Sequence, residues 1–223
     1  MPRIHYQQQL AELRDKLLAM AALAQQTMDC AMDGYLKADT VLLHHVQENE
    51  QAINAAERSV DEMAYELMAM EQPMAVDLRF LLAVIKINGD LERIGDQSVN
   101  IAERATELLK MPPAELPVNM HQMGELTERM IRFALQSLLD GDPVLAKSVL
   151  TMDDDVDEMN REIHQAMVTV IREHPEWTEQ ALNTIIISRN LERIADHATN
   201  IAEDVIFWVR GADVRHHLSI AAE

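Results

Sequence analysis

The sequence predicts an all-α protein built as two tandem, pseudo-symmetric three-helix up-down-up bundles, six long helices in all. Three observations predict it. The 223 residues hold only 6 Gly and 7 Pro but 15 Met, with Ala, Leu and Glu throughout, so strong helix formers dominate. Apolar residues recur in heptads rather than in alternation, the pattern of packed helices and not of strands. A mixed string also occurs twice. "LERIGDQSVNIAER" at 91–104 and "LERIADHATNIAED" at 191–204 agree at nine of fourteen positions, 100 residues apart.

The breakers place the helices. A first helix over about 5–37 runs into "GYLKAD", 34–39. A second, about 39–71, starts from Asp39, a side chain suited to capping, and stops at "EQPMAVD", which holds Pro73. Within it Val46, Ile53, Val60 and Leu67 recur every seven residues, with Leu42, Ala56, Met63 and Met70 between them. A third, about 75–110, carries a seam of Leu91, Ile94, Ser98, Ile101, Ala105 and Leu108, stepping by 3, 4, 3, 4, 3. "MPPAELPVN", 111–119, has three prolines and reads as a linker. A fourth helix, about 119–140, ends at "DGDP", which offers a Gly stop, an Asp cap and a Pro at the first position of a fifth helix, about 142–174. Pro175 in "REHPEW" separates it from a sixth, about 177–210, which Gly211 ends. Long helices joined by short turns fold back antiparallel. Residues 1–111 therefore form one three-helix repeat, 112–118 the linker, 119–211 the second repeat and 212–223 a tail. The duplication extends beyond the repeated string. Ile85 and Ile87 match Ile185 and Ile187, and "EQAINAAERSVD" (50–61) aligns with "DDDVDEMNREIH" (153–164) at an offset of 103.

Charge narrows the functional classes. A formal net charge of −19 repels nucleic acid and anionic lipid and attracts cations and basic protein surfaces. The single cysteine, Cys30, excludes an internal disulfide and fits a reducing compartment. The N-terminus has no apolar segment of the signal-peptide kind. The longest uncharged run, Leu17–Met28, is twelve residues, against the roughly 20 that span a bilayer. A cytoplasmic protein without membrane insertion is expected.

A duplicated core accounts for Leu91, Ile94 and Ile101 but not for the acids between them. Glu92, Asp96, Asn100 and Glu103 step by 4, 4 and 3 and so form one stripe, which the seam places on the far side of the helix. Glu192, Asp196, Asn200 and Glu203 repeat it. The second helix of each half carries a matching row: Glu50, Asn54, Glu57 and Asp61, then Asp153, Asp157, Asn160 and His164. A solvated face is the plain explanation, helped by pairs such as Arg93–Asp96 and Arg104–Glu107 at i, i+3. Yet like charges at i, i+4 (Glu57/Asp61, Glu92/Asp96, Glu192/Asp196) cost about 0.2–0.5 kcal/mol per pair, and solvation requires no particular acids at particular places. Facing carboxylate rows instead suit divalent cations, which take oxygen ligands. Asn160 and His164 replace two acids, so a second-half site is expected to carry less charge.

The strings "QPMAVDLRFLLAVIKINGDLERIGDQSVNIAERA" and "RNLERIADHATNIAEDVIFWVRG" resemble the PhoU family of phosphate-signalling regulators. That family's pattern is an acid-x-x-x-Asp motif inside "LERI(G/A)D", once in each of two three-helix bundles. The resemblance covers nearly the whole chain and implies a cytoplasmic negative regulator rather than an enzyme. It implies, as partners, the ATPase subunit of an ABC phosphate transporter and a membrane sensor kinase, with association as a homodimer or higher oligomer. It also implies multinuclear clusters of iron, zinc, manganese or magnesium on the acidic motifs. Carried onto this chain, the metal ligands are Glu92 with Asp96 and Glu192 with Asp196, extended by Asn100, Glu103, Asn200 and Glu203. Glu57 and Asp61 face them in the first half and Asp153 and Asp157 in the second, with Arg93 and Arg193 orienting carboxylates.

Two other classes compete. A ferritin-like oxidase or metal-storage protein needs Glu-x-x-His on inward faces. None of the nine His has a Glu three residues before it, the nearest pattern being Asp213-x-x-His216. A helical scaffold with solvated acids is the other. Metalloprotease, P-loop and dinucleotide-binding motifs are absent, and Cys30 has no catalytic partner.

Overall fold

The computed structural model describes residues 2–71, 73–212 and 214. Among them lie six α-helices and no strand: α1 (Pro2–Lys37), α2 (Thr40–Glu71), α3 (Val76–Leu108), α4 (Met120–Asp140), α5 (Pro143–Glu173) and α6 (Thr178–Arg210). A single 3₁₀ turn, Pro175–Trp177, precedes α6. The tail pair His216–His217, with Asp213, and the Gln72 of the Gln-Pro turn lie outside the described residues.

The local signals act where the sequence puts them. Asp39 accepts from the backbone N–H of Val41 at 2.9 Å and of Leu42 at 3.3 Å, satisfying two donors of the first turn of α2. Asp142 does the same for Val144 and Leu145 at 2.8 and 3.2 Å, with Pro143 at the first helical position of α5. Gly141 and Gly211 stop α4 and α6 at φ of 62° and 69°, a conformation that costs Gly nothing. Asn119 caps α4 through the N–H of Gln122 at 3.1 Å.

The seams meet at the centre. Val46, Ile53, Val60 and Leu67 of α2 are buried, as are Leu91, Ile94, Ser98, Ile101 and Ala105 of α3. Met70 departs from the expected seam. It is 79% exposed because α2 ends one residue later, past the last layer of the core. Gly95 lets α2 approach closely, since a Cβ there would stand 2.9 Å from Ile53 Cδ1. The most extensive helix pair is α3 with α6. Its contacts run antiparallel: Arg79 Nε to Trp208 O at 3.2 Å, Lys86 Nζ to Asp204 Oδ1 at 2.7 Å, and His197 Nδ1 to Asp90 Oδ1 at 2.8 Å. Beside this pair α2 packs on α3 and α5 on α6, while α1 and α4 touch each other and complete each bundle. The two halves thus share one continuous core across their motif helices. The stretch between α3 and α4 holds no helix, and Gln180 Nε2 ties it down by donating to Pro112 O at 3.0 Å.

Ala38 and Asp29 each carry an internal cost. Ala38 closes α1 at φ 56°, where Asp39 N–H returns to Gly34 O at 3.0 Å; the same bond after α4 runs from Asp142 N–H to Ser137 O at 2.9 Å around Gly141. Between α1 and α4, Asp29 has one carboxylate oxygen buried without a hydrogen-bond partner. Burial first, then Glu128 and Asp33, pushes its pKa up to about 6 against the pull of Arg132.

Ala38→Gly is expected to stabilise the protein by about 0.5 kcal/mol, because relief of the left-handed Ala exceeds the added freedom of the unfolded chain. Thermal melting checks it. A raised carboxyl contributes stability below its unfolded pKa near 3.8 and loses it as pH climbs through about 6. Asp29→Asn is therefore expected to flatten the decline between pH 4 and pH 6. It should raise stability at pH 8 by on the order of 1 kcal/mol, a figure discounted because water still screens part of the group. Urea unfolding at pH 4, pH 6 and pH 8 measures this.

Candidate metal centre

The motif helices are buried along three directions, toward their own first helix, their own second helix and each other. The acidic stripe consequently does not lie opposite the seam. Glu92 and Asp96 sit in the groove between α2 and α3, with side chains 20% and 37% exposed. Glu92 is raised from the ordinary carboxylate range by burial first, then by Asp96, Glu57 and Glu50, with Arg93 opposing. Arg93 bridges the pair, its Nε 3.3 Å from Glu92 Oε2 and its Nη1 3.8 Å from Asp96 Oδ2. Asp61 accepts from Asn88 Nδ2 at 2.9 Å, one turn nearer the start of α3.

The second half repeats the arrangement between α5 and α6 with a tighter set. Burial raises Glu192, with Asp157 and Asp153 adding to it while Arg189 and Arg193 oppose. Asp196 keeps its outer edge in solvent, yet loss of hydration and then Glu192, Asp153 and Asp157 push it up to about 6. Asp153 is raised by burial above all, although Thr199 Oγ1 donates to it at 3.2 Å. Four carboxylates from two helices thus act on one another. The expectation of a less charged second site met a compensation: Asp157 stands where the first half has Asn54, while His164 is exposed and Asn160 accepts from Ser188 Oγ at 3.0 Å.

The rest of the two stripes runs outward. Asn100 and Glu103 are exposed, Glu103 lying along a groove with Leu43 and Gln47. Arg104 turns to Glu103 at 3.7 Å rather than to Glu107, because Lys110 takes Glu107 at 2.7 Å. Asn200 crosses to the other half and donates to Asp90 Oδ1 at 3.2 Å. Glu203 lines the same cleft between α3 and α6, opposite Glu57 and Glu92. Sequence reasoning passed over Asp90, Asn88 and Thr199, and used Glu50 only as a member of its row. A buried amide one turn before Glu92 was the signal for Asn88; Asp90 had none, because only the helix crossing gives it partners.

Among the described residues, no three His, Cys, Asp or Glu side chains converge closely enough to enclose an ion as they stand. The donor chemistry nevertheless fits hard divalent ions. The facing groups are carboxylates and amides, the oxygen donors such ions take. A bound cation would relieve the repulsion that adds to burial in raising Glu92, Asp153, Glu192 and Asp196.

Comparison with known proteins agrees with the fold. The family profile described as PhoU domain matches residues 17–105 and 120–205, one match in each half. The phosphate-specific transport system accessory protein PhoU homolog of Pseudomonas putida is 38% identical over 211 residues, covering 93% of this chain and 82% of that one. The corresponding homolog of Aquifex aeolicus is 34% identical over 208 residues, covering 93% and 94%. Among solved structures, PhoU from Pseudomonas aeruginosa superposes with a TM-score of 0.89 at 36% identity, over 93% of this chain and all of that one. The phosphate transport system regulatory protein PhoU from Streptococcus pneumoniae gives 0.86 at 25% identity, over 94% and 99%. With the motif in both halves, the heptad seams and the six-helix arrangement, these matches establish that the chain belongs to the PhoU family.

Proposed function

We propose that this chain is a non-enzymatic accessory protein of phosphate transport. In this reading it is a cytoplasmic negative regulator of phosphate uptake and of the starvation response, linking the ATPase subunit of an ABC phosphate transporter to a membrane sensor kinase. Divalent ions bind the acidic rows between α2 and α3 and between α5 and α6. The names of its relatives support the phosphate role. The observation that carries the metal part is the set of Asp153, Asp157, Glu192 and Asp196, drawn from two helices, within which Asp153 and Asp157 add to burial in raising Glu192 and Asp196. Oxygen donors favour magnesium or manganese over softer ions, with iron and zinc next. The net charge of −19 steers basic partner surfaces toward the protein, and the same rows can hold a partner through a bridging ion. A homodimer or larger assembly would present these rows several times.

Pull-down from phosphate-replete cells is expected to recover the transporter ATPase and the sensor kinase. Cells lacking the protein are expected to express starvation genes despite ample phosphate. Normal repression in those cells would point to a different phosphate carrier as its client. Glu92→Gln/Asp96→Asn is expected to lower metal content of the purified protein, by elemental analysis, with unchanged helicity; unaltered stoichiometry would count against the assigned ligands. After chelation at neutral pH, Asp157→Asn is expected to raise the melting temperature by about one or two degrees, on the order of 0.5 kcal/mol, since one of four opposed charges is gone. That gain should reverse when manganese is added.

A further inference from the structure

Asn88 continues the row of Glu92 and Asp96 one turn toward the start of α3 and is fully buried. Along the helix it is flanked by the equally buried Val84, Ile87 and Leu91, so an apolar side chain would suit the position. Instead one amide grips two residues of the facing acidic row. Its Nδ2 donates to Asp61 Oδ1 at 2.9 Å and to the main-chain carbonyl of Glu57 at 2.9 Å. Its Oδ1 is buried and receives no hydrogen bond. Turning the amide over gives no relief, because the oxygen would then face a carboxylate and a carbonyl, both acceptors. A buried acceptor without a partner costs about 1–3 kcal/mol, so its presence calls for a group that satisfies it.

The second half shows what is particular to the first. Ser188 is the equivalent residue and also reaches the facing row, but its single hydroxyl proton lies between two acceptors at 3.0 Å, Oδ1 of Asn160, a neutral amide, and the main-chain carbonyl of Ile185. Of the two equivalent residues, Asn88 is the one that holds a carboxylate of the row and leaves a buried carbonyl oxygen without a hydrogen bond.

We infer that Asn88 is a neutral member of the first-half cation site: its Nδ2 fixes Asp61 beside Glu57, and its Oδ1 is an oxygen donor to the ion. This rests on the reading that the acidic rows bind divalent cations. It makes the two sites different in kind, with an amide oxygen supporting carboxylates in the first half and four carboxylates in the second.

The test uses the full chain carrying Glu192→Gln/Asp196→Asn, which silences the second half, after chelation and with Mn²⁺ alone as probe. Binding is measured by calorimetry and by the electron paramagnetic resonance of free Mn²⁺, and melting with and without Mn²⁺. Asn88→Ala is expected to weaken Mn²⁺ binding at least about tenfold and to remove most of the Mn²⁺-induced rise in melting temperature. Asn88→Asp is expected to melt lower than the parent without Mn²⁺, because three acids crowd together, but to show a larger rise with it. If Asn88→Ala does not fold, Asn88→Ser, the residue of the other half, takes its place with the same expectation of weakened binding. Variants that melt lower yet keep the parent's Mn²⁺ affinity and Mn²⁺-induced rise would show Asn88 to be a helix-to-helix pin and overturn the inference. A parent with Asn88 intact that binds no Mn²⁺ would remove the cation reading of the first half, and this inference with it.

Discussion

The antiparallel packing of α3 against α6 is the constraint on which the rest of the structure depends. Each motif helix must serve two cores, one with its own α1 or α4 and one with the other motif helix, and its second helix claims a further side. Little surface is left over. The acids of the repeated string therefore fall into the grooves beside α2 and α5, half in water and half against a neighbour. The charges that act on the stripe come from the facing helix of its own half, Glu57 and Glu50 in the first and Asp153 and Asp157 in the second.

The core can sustain that arrangement. Each buried Leu or Ile of the seams contributes about 1.5–3 kcal/mol, while an i, i+4 pair of like charges costs about 0.2–0.5 kcal/mol. Helix formation is thus decided by Leu91, Ile94, Ile101 and their counterparts, and the carboxylates are held close at a cost the fold absorbs. A surface that stores repulsion in this way is poised for a counter-charge. The ion would not be needed to build the bundle, and its arrival would change the electrostatics of a face rather than the path of the chain.

The two halves have diverged where they meet. Lys86 pairs with Asp204, but the equivalent positions are Ile186 and Arg104. Asp90 receives His197 and Asn200, whereas Asn190 turns its amide back to Ile186 O at 2.7 Å and Gln97 leaves its Oε1 buried without a partner. The crossing of α3 and α6 is symmetric in backbone and asymmetric in polar contacts. The divergence reaches the acidic rows, where Asn54, Glu57 and Asp61 face the exchange to Asp157, Asn160 and His164. Duplication supplied two equal grooves, and substitution has made them chemically distinct.

Helix number, order and ends were legible in the sequence, because caps such as Asp39 and Asp142, stops such as Gly141 and Gly211, and heptad spacing all act within a few residues of where they stand. The motif residues were legible for the same reason: Glu92 and Asp96 share a face by helical geometry alone. Which face that would be was not legible. The seam alone placed the stripe in solvent, and only the packing of α2 on α3 and of α5 on α6 turned it into a groove. The roles of Asp90, Asn88, Thr199 and Asn200 belong to that level too. Each depends on a partner from another helix, and spacing along one chain carries no information about the distance between two helices.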